Sequence, residues 1–504
     1  MNRLHTYLFI LLLSVPSLQL WAQESKDNTS KEIETHLRFL ASDELGGRAT
    51  GTAGNNVASA YISAFFQSNG LQEVPGATGY YQEIPFVMTT PPKEGSIQWG
   101  DKNWAVGKDF IVARGKAGNM DAEAIFVGYG IIDEENGVND YEGLDLKGKI
   151  VVANLGQAGD ENPASVIQLG AKKREWVLER GGIGLIELYR LSRIPWQFVT
   201  RRLNRARLQI SNSSDISSPA ATFTHIWAED KGADLAKALK ENKGTNIKIE
   251  HEGVDLEYRG SRNVLGWVEG TDPNLKNEYL LVTAHFDHVG TGPSGGRVTE
   301  TDSIFNGARD NAIGTVSLMT TAKLLAANPP KRSVLFLAVT GEEMGMLGSS
   351  YYANNPLLPL NTMVFNLNCD GAGYNDKTLV SVVGFNHVDV EPIIKQGAEK
   401  NGLIAAGDPV PEQNLYDRSD NVSFASKGIP AINVSPGTKA FDAELMKYYH
   451  QVADEAESID FVYISKFVKS FAEIASILAN SDETPTWRDE SKYFKAGKAL
   501  YGED

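Results

Sequence analysis

The sequence predicts an α/β protein in which a mostly parallel, helix-covered mixed sheet is interrupted by a long β-rich insert. From about residue 258 onward, short apolar runs alternate with helical stretches. The apolar runs lie at 279–284, 333–339, 363–367, 379–383 and 431–434. Strands that are apolar throughout must be covered on both faces, and helices between parallel strands provide that cover. Between 95 and 255, short strand-like runs alternate with turns instead, which indicates a β-rich segment.

The composition narrows the classes of function open to this chain. Its 504 residues are enough for about two or three domains. The 64 acidic residues outnumber the 48 basic ones and give a formal net charge of −16, so we expect no nucleic-acid partner, which requires a basic face. The single cysteine, Cys369, can supply neither an intrachain disulfide nor a thiolate zinc site. Any metal must therefore be held by His, Asp and Glu.

Residues 1–22 indicate a secretory signal peptide. Arg3 precedes a compact apolar run at 7–13, and the segment ends at Ala22 before polar residues. The apolar run is short for a membrane span, and no later segment approaches the roughly 18 consecutive apolar residues that a span needs. We therefore expect an exported protein, periplasmic or extracellular, with no stable membrane insertion after removal of the signal. An uncut N-terminal anchor is the alternative.

The rest of the chain is predicted to form one discontinuous unit around the insert. Apolar residues recur at helical spacing from 33 to 40 and from 57 to 65, which predicts helices on either side of a Gly-rich loop at 46–54. The predicted boundaries are 23–94 and 256–485 for the main unit, 95–255 for the insert and 486–504 for a C-terminal tail.

Metal-binding residue types follow the predicted strands of the main unit. In an open α/β sheet, ligands bind beyond the carboxyl ends of the strands. Those positions and two further segments carry His or a carboxylate: His285 after 279–284, Asp310 before helix 311–327, Glu343 after 333–339, Asp370 after 363–367 and His450 in a late loop. Each residue alone is weak support for a site, but the joint pattern is specific.

The number of these residues suggests two metal ions. In our hypothesis, His285, Asp370 and a bridging Asp310 hold one ion, and Glu343, His450 and the same Asp310 hold the other. Two divalent cations and three carboxylates leave one positive charge, which a bridging hydroxide balances. Nitrogen and oxygen ligands without thiolate suit zinc, with manganese or cobalt as substitutes. We therefore expect two zinc ions per subunit.

Two further acids and one histidine lie beside the candidate ligands. Asp287 is placed to accept the second imidazole N–H of His285 and so to fix its tautomer. Glu342, next to Glu343, is placed to act as the general base on the attacking water. His288 competes with His285 as a ligand but lies further from the end of the strand.

Five stretches of this unit resemble the di-zinc exopeptidases, relatives of glutamate carboxypeptidase and the transferrin receptor. The stretches are 284–290, 306–312, 340–343, 368–370 and 449–451. The resemblance implies a phosphorylase/hydrolase-like zinc-peptidase fold. Carried over to this sequence, it implies metal ligands at His285, Asp310, Glu343, Asp370 and His450, a base at Glu342 and an oxyanion-binding Tyr449. It also implies a substrate-pocket role for Arg418 and Ser419, although Asn421 stands where the family commonly has His.

The insert resembles a protease-associated (PA) domain. The resemblance rests on the stretches 126–130 and 140–152. Within the insert, six arginines lie between 190 and 207 with no acid between 188 and 214. They form either a solvated face or a surface that borders the active-site cleft and attracts acidic substrate groups.

Together these observations predict a secreted zinc aminopeptidase that acts on peptides. The expected mechanism uses a hydroxide bridging two zinc ions, with Glu342 as general base and Tyr449 stabilising the oxyanion. A carboxypeptidase on the same fold and a mono-zinc, glutaminyl-cyclase-like transferase are the close alternatives. The alternative from another class is an inert binding module, as in the receptor relatives that lost their metal ligands, but every ligand position of this chain is filled by a competent residue. The sequence does not predict the oligomeric state.

Overall fold

A computed structural model describes residues 15–211, 218–241, 245–293 and 295–502. The chain divides into two compact units, one formed by the residues up to Ile84 together with those from Ser261 onward, and the other by Pro85–Gly260. The first 14 residues of the predicted signal peptide lie outside the described residues. Within the described ranges, no helix is both long enough and apolar enough to cross a lipid bilayer.

The first unit is built on an eight-stranded mixed sheet. In spatial order, its strands are Tyr81–Ile84, Ser261–Val268, Ser333–Val339, Tyr279–His285, Met363–Asn368, Ala431–Pro436, Leu379–Val383 and Ile404–Ala406. The four strands from Ser333–Val339 to Ala431–Pro436 run parallel to one another. The strands next to them, Ser261–Val268 on one side and Leu379–Val383 on the other, pair with them in the antiparallel direction. The predicted fold class is confirmed for this unit: a mixed sheet with a parallel centre.

Alternate residues of the central strands face two separate hydrophobic cores. Leu280 and Val282 pack into one core, whereas Leu281 between them packs into the other. Strand side chains alternate between the faces of a sheet, so this division requires apolar residues at every position. The helices described in this unit are Val15–Leu40, Ala53–Ser68, Ile313–Ala327, Leu347–Asn354, Glu391–Glu399, Asn421–Ala425, Ala443–Met446, Phe461–Asn480 and Phe494–Tyr501.

Local capping fixes where two of these helices begin. The Thr52 side chain accepts a hydrogen bond from the Asn55 backbone N–H at the start of Ala53–Ser68. The Asp460 carboxylate accepts hydrogen bonds from two backbone N–H groups at the start of Phe461–Asn480. Both residue types are preferred at this position because their side chains satisfy N–H groups that the helix leaves unpaired.

The segment predicted as a C-terminal tail is packed onto the first unit. Trp487 is buried, and its indole N–H donates to the Gly428 carbonyl oxygen at 2.7 Å. The helix Phe494–Tyr501 follows, and the Tyr501 hydroxyl donates to the Met363 carbonyl. The description as a tail is therefore corrected: an aromatic anchor and a terminal helix hold the segment in place.

The second unit contains a second eight-stranded sheet. Its strands are, in spatial order, Lys102–Ala105, Gly95–Trp99, Asn246–Gly253, Lys116–Phe126, Ile150–Asn154, Gly184–Leu188, Thr224–Ala228 and Phe110–Arg114. A smaller sheet joins Arg207–Ile210, Phe86–Thr90 and Asp255–Tyr258, and a ribbon pairs Ile132–Asp133 with Val138–Asn139. The helices are Pro163–Glu179, Trp196–Leu203, Pro219–Thr222 and Asp234–Glu241. The unit is rich in strands, and its assignment as a PA domain stays a prediction.

The second unit is longer than the predicted insert of 95–255. Phe86–Thr90 forms antiparallel pairs with both Arg207–Ile210 and Asp255–Tyr258, so both ends of the segment belong to one sheet. The division of the chain accordingly falls at 85 and 260. Pairing between strands this far apart along the chain has no local signature in the sequence.

A buried ion group lies in the core of the second unit. The Lys173 ammonium group is 2.7 Å from Glu187 Oε1, and both side chains are fully buried. Lys173 also donates to the carbonyl oxygens of Asn154 and Gly156, while His225 Nε2 is 2.8 Å from Glu187 Oε2. Each charge therefore has close partners, as burial of an ion requires.

Replacing Lys173 by Met is expected to destabilise the protein by about 3–5 kcal/mol, because Glu187 is left buried without its cation. The measurement is the free energy of unfolding in urea. The matched control is Lys172→Met at the exposed neighbouring position. Equal unfolding free energies for the two variants would contradict the assignment of a structural ion pair.

Candidate metal centre

The carboxyl ends of the parallel strands gather His and carboxylate side chains at one edge of the first unit's sheet. Tyr279–His285 ends at His285, Glu343 follows Ser333–Val339, and Asp370 follows Met363–Asn368. Asp310 lies in the turn Ala308–Ala312 just before the helix Ile313–Ala327. His450, at a positive φ of 52°, lies in the turn region after Ala443–Met446.

These side chains form two groups that share Asp310. In the first group, His285 Nε2 lies 3.1 Å from Asp370 Oδ1 and 3.4 Å from Asp310 Oδ1. In the second, His450 Nε2 lies 3.1 Å from Asp310 Oδ2 and 3.2 Å from Glu343 Oε2. Asp310 thus presents one carboxylate oxygen to each group, which is the arrangement of a bridging ligand.

His288 belongs to the second group. Its Nδ1 lies 2.7 Å from Glu343 Oε1, and its side chain is buried. Four donors, from His288, Asp310, Glu343 and His450, lie within 4.8 Å of one another. Sequence reasoning placed His288 only as a competitor of His285, whereas the structure places the two histidines in different groups. The sequence does show a second His in the stretch 285–288, but the order of residues along the chain does not reveal which donor group that His joins.

Asp287 contacts His285 differently from the prediction. The nearest acceptor to His285 Nδ1 is the backbone carbonyl of Asp287 at 3.2 Å, and the carboxylate oxygen is 3.7 Å away. The carboxylate instead accepts hydrogen bonds from the Thr50 hydroxyl at 3.0 Å and from the Glu342 backbone N–H at 3.2 Å. The predicted carboxylate–imidazole hydrogen bond is therefore corrected. The main chain orients the ring, and the carboxylate ties the loop to its neighbours.

Mutual attraction outweighs the cost of burying these charges. Burial opposes the protonated form of His285, yet Asp370 and the other nearby carboxylates hold its pKa well above the ordinary value. Burial also opposes the charge of Asp310, but the histidines of both groups hold its pKa well below the usual range. The pKa of Glu343 is lowered to about 2, because His288 and His450 outweigh burial and the charge of Asp310.

The donor set fits a divalent metal ion such as zinc. Imidazole nitrogen and carboxylate oxygen, with no thiolate, are common zinc ligands. The carboxylates crowd together in a buried site, where like charges repel unless cations offset them. Each group brings His and carboxylate donors within the reach of one ion.

Glu342 has a different environment from its neighbour Glu343. Burial raises the pKa of Glu342 well above its usual range, and the charges of Asp370, Asp420 and Glu343 act in the same direction. It belongs to neither group of close donors, but it lines the adjoining cavity. A carboxyl group with a raised pKa beside candidate metal ligands is suited to accept and return a proton.

An open cavity of about 740 Å³, counted with the solvent at its mouth, adjoins both groups of donors. Tyr449, Arg418 and Ser419, the three residues implied to contact substrate, all line it. The Ser419 hydroxyl accepts a hydrogen bond from Asn368 at 2.9 Å. Burial and nearby carboxylates raise the pKa of Tyr449, so its phenol remains a hydrogen-bond donor. The apolar part of the wall includes Val383, Pro409, Leu415 and Phe441.

The N-terminal loop also reaches this site, which the sequence did not indicate. Arg48 is buried, with 1% of its surface exposed, and donates to carbonyl groups beside the candidate ligands. The loop was predicted only as a turn, because a single Arg in a Gly-rich stretch carries no periodic pattern.

The arginine-rich stretch of the insert lies in the second unit. Arg190 is 3.6 Å from Asp230, whereas Arg201, Arg202 and Arg205 are exposed. Arg207 donates to the carbonyl oxygen of Leu203 at 3.1 Å. Its suggested effect on acidic substrates stays a prediction.

Three comparisons with known proteins bear on these observations. Residues 263–475 match the model of a family described as "Peptidase family M28". The vacuolar membrane protease of Saccharomyces cerevisiae strain YJM789 is 27% identical over 240 residues, covering 46% of this chain and 22% of that protein. The protein of the same name from strain RM11-1a is 37% identical over 207 residues, covering 40% and 18%. The chain thus spans about a fifth of the length of these curated relatives.

Solved structures with a similar course of the chain include two aminopeptidases. The aminopeptidase from Aneurinibacillus sp. strain AM-1 has a TM-score of 0.48 and 18% identity, covering 90% of this chain and 95% of that one. A zinc aminopeptidase from Bacillus subtilis has a TM-score of 0.46 and 19% identity, covering 92% and 97%. At these scores the likeness carries no weight for function.

The family match includes every strand and loop that contributes His285, Asp310, Glu343, Asp370 or His450. The match to peptidase family M28 thus covers 263–475, the segment that carries all five of these residues.

Proposed function

We propose that this protein is a zinc aminopeptidase that hydrolyses peptide bonds with two zinc ions, each held by one of the two groups of side chains that share Asp310. The observation that carries the proposal is the position of the Asp310 carboxylate. One oxygen lies 3.4 Å from His285 Nε2, and the other lies 3.1 Å from His450 Nε2. A carboxylate shared in this way suits a pair of cations better than a single one.

The residues divide between holding zinc and handling substrate. His285, Asp310 and Asp370 form the first binding set, and Asp310, Glu343 and His450 with the adjacent His288 form the second. Zinc bound here supplies Lewis acidity, which polarises a carbonyl group and lowers the pKa of water.

Glu342 is the proposed general base. Its side chain lines the cavity beside both donor groups, where the carboxylate can take a proton from the attacking water and return it to the leaving amine. Its backbone N–H donates to Asp287 Oδ1, which fixes the start of the turn that presents the side chain to the cavity.

Tyr449 is the proposed donor to the oxygen of the scissile carbonyl group. The raised pKa keeps the phenol protonated, and its ring lies beside His450 with 4.2 Å between ring centroids. A donor fixed where negative charge develops lowers the barrier for attack on the carbonyl carbon.

The cavity also bears on which end of a peptide is cleaved. Glu342 lines it but belongs to neither donor group, so its carboxylate remains available to attract a free α-ammonium group. Among the described residues that line the cavity, Arg418 is the one basic side chain apart from His450, and it favours the second candidate, a carboxypeptidase that binds a C-terminal carboxylate. Export through residues 1–22 is part of the same proposal.

Substituting Gln for Glu342 should keep the zinc content and lower kcat by about 100-fold or more, because the amide cannot accept the proton. The same substitution at Glu343 should lower the zinc content, because that side chain belongs to the second donor group. Elemental analysis and steady-state kinetics on both variants distinguish these roles. A Glu342→Gln protein with wild-type turnover would contradict the general-base role.

Cleavage of matched peptides with free, N-acetylated and C-amidated ends should be blocked by acetylation and retained after amidation, because acetylation removes the ammonium group. Mass spectrometry of the products from the zinc-loaded protein provides the measurement. Cleavage that amidation blocks, together with a raised KM in Arg418→Met, would show a carboxypeptidase instead. Cyclised products without release of a residue would show the transferase alternative.

A further inference from the structure

The loop before helix Ala53–Ser68 is built into the metal centre although it lies outside the family-matched segment 263–475. Arg48 in this loop is buried, and its guanidinium group donates to carbonyl oxygens only. Nε donates to Phe286 at 2.8 Å, Nη1 to Asn306 at 2.6 Å and to Leu40, and Nη2 to Gly307 at 3.0 Å.

These acceptors lie next to the candidate zinc ligands. Phe286 directly follows His285, while Asn306 and Gly307 lie in the loop that leads into Asp310. A guanidinium group is planar and presents its five N–H donors in fixed directions. One side chain therefore fixes two ligand-bearing loops relative to each other.

The backbone around Arg48 packs tightly against the same loops. The His288 backbone N–H donates to the Arg48 carbonyl at 3.3 Å. Gly47, at a φ of +67°, approaches so closely that a Cβ atom there would lie 2.4 Å from the Gly290 carbonyl oxygen and 2.6 Å from that of Phe305. The loop therefore lies directly against its neighbours, with no room for a side chain at Gly47.

Thr50 extends the connection to a third element. Its hydroxyl donates to Asp287 Oδ2 at 3.0 Å, and the other oxygen of that carboxylate accepts from the Glu342 backbone N–H. Asp287 thereby links the N-terminal loop to the turn that carries both Glu342 and Glu343.

The contacts of Arg48 differ from those of an ion pair. Among the described residues, no carboxylate oxygen lies within 4.0 Å of its guanidinium nitrogens, so its hydrogen bonds go to the main chain. A lysine at this position would keep the charge but could not reach four carbonyl groups from one point. Replacing Arg48 by Lys therefore separates the effect of the guanidinium group's geometry from the effect of its charge.

We propose that Arg48, assisted by Thr50, is a positioning residue that holds the loops bearing His285, His288 and Asp310 at the spacing that zinc binding requires. The inference rests on the proposed zinc site, but not on which peptide bond the protein hydrolyses. The loop of Arg48 and Thr50 is then part of the metal centre, although neither residue belongs to the two groups of candidate ligands.

The test compares Arg48→Lys, Arg48→Met and Thr50→Val in the full chain. Zinc affinity is measured by competition with a chelator, and the visible absorption spectrum of the cobalt-loaded protein reports ligand geometry. Both Arg48 variants are expected to bind zinc about tenfold more weakly or worse, with an altered cobalt spectrum, as is typical when partners of metal ligands are lost. The matched control is Arg38→Met, which removes an exposed arginine that pairs with Glu34 and Glu457.

Wild-type zinc affinity and an unchanged cobalt spectrum in both Arg48 variants would overturn the positioning role, even if their thermal stability falls. Full rescue by Arg48→Lys would also overturn it, because charge alone would then suffice. Thr50→Val keeps the buried arginine and is expected to fold. It should weaken zinc binding a few-fold, and wild-type affinity and spectrum in this variant would overturn the assisting role of Thr50. Tight zinc binding by a wild-type protein that cleaves no peptide would contradict the proposed function alone.

Discussion

The arrangement of the site depends on one shared carboxylate. Asp310 faces His285 with one oxygen and His450 with the other, so two sets of side chains from distant parts of the chain meet at a single residue. Without cations, carboxylates that crowd together in a buried site repel one another. The proposed pair of zinc ions accounts both for the crowding of the carboxylates and for the position of Asp310 between the two sets. Glu342 lies outside the two sets and is the proposed group for proton transfer.

Rigid neighbours hold Asp310 in place. Asp454 accepts hydrogen bonds from the backbone N–H groups of Arg309 and Asp310 and from the Arg309 guanidinium group. The same guanidinium lies 3.6 Å from the centre of the Tyr448 ring, directly before Tyr449 and His450. These contacts connect the loop of Asp310 to the loop that carries Tyr449, the proposed oxyanion donor, and His450, a further proposed ligand. A precise site on rigid elements is what catalysis by fixed dipoles and cations requires.

Sequence reasoning could find residues whose position follows from the fold class. His285, Glu343 and Asp370 come directly after parallel strands, and such strands end at one edge, so their proximity could be predicted. Arg48 could not be found in this way, because its role depends on carbonyl groups more than two hundred residues away, and carbonyl groups have no sequence signature. The contact of Asp287 was misjudged for a related reason: chain proximity to His285 does not reveal whether the backbone or the side chain makes the hydrogen bond.

The central claim is that Asp310 joins two metal sites, and anomalous diffraction at the zinc absorption edge from crystals of the zinc-loaded protein tests it most directly. The account predicts two peaks about 3.5–4 Å apart, with one carboxylate oxygen of Asp310 facing each peak. The first peak should lie beside His285 and Asp370, and the second beside Glu343 and His450. A single peak, or two peaks that do not share Asp310, would contradict the account.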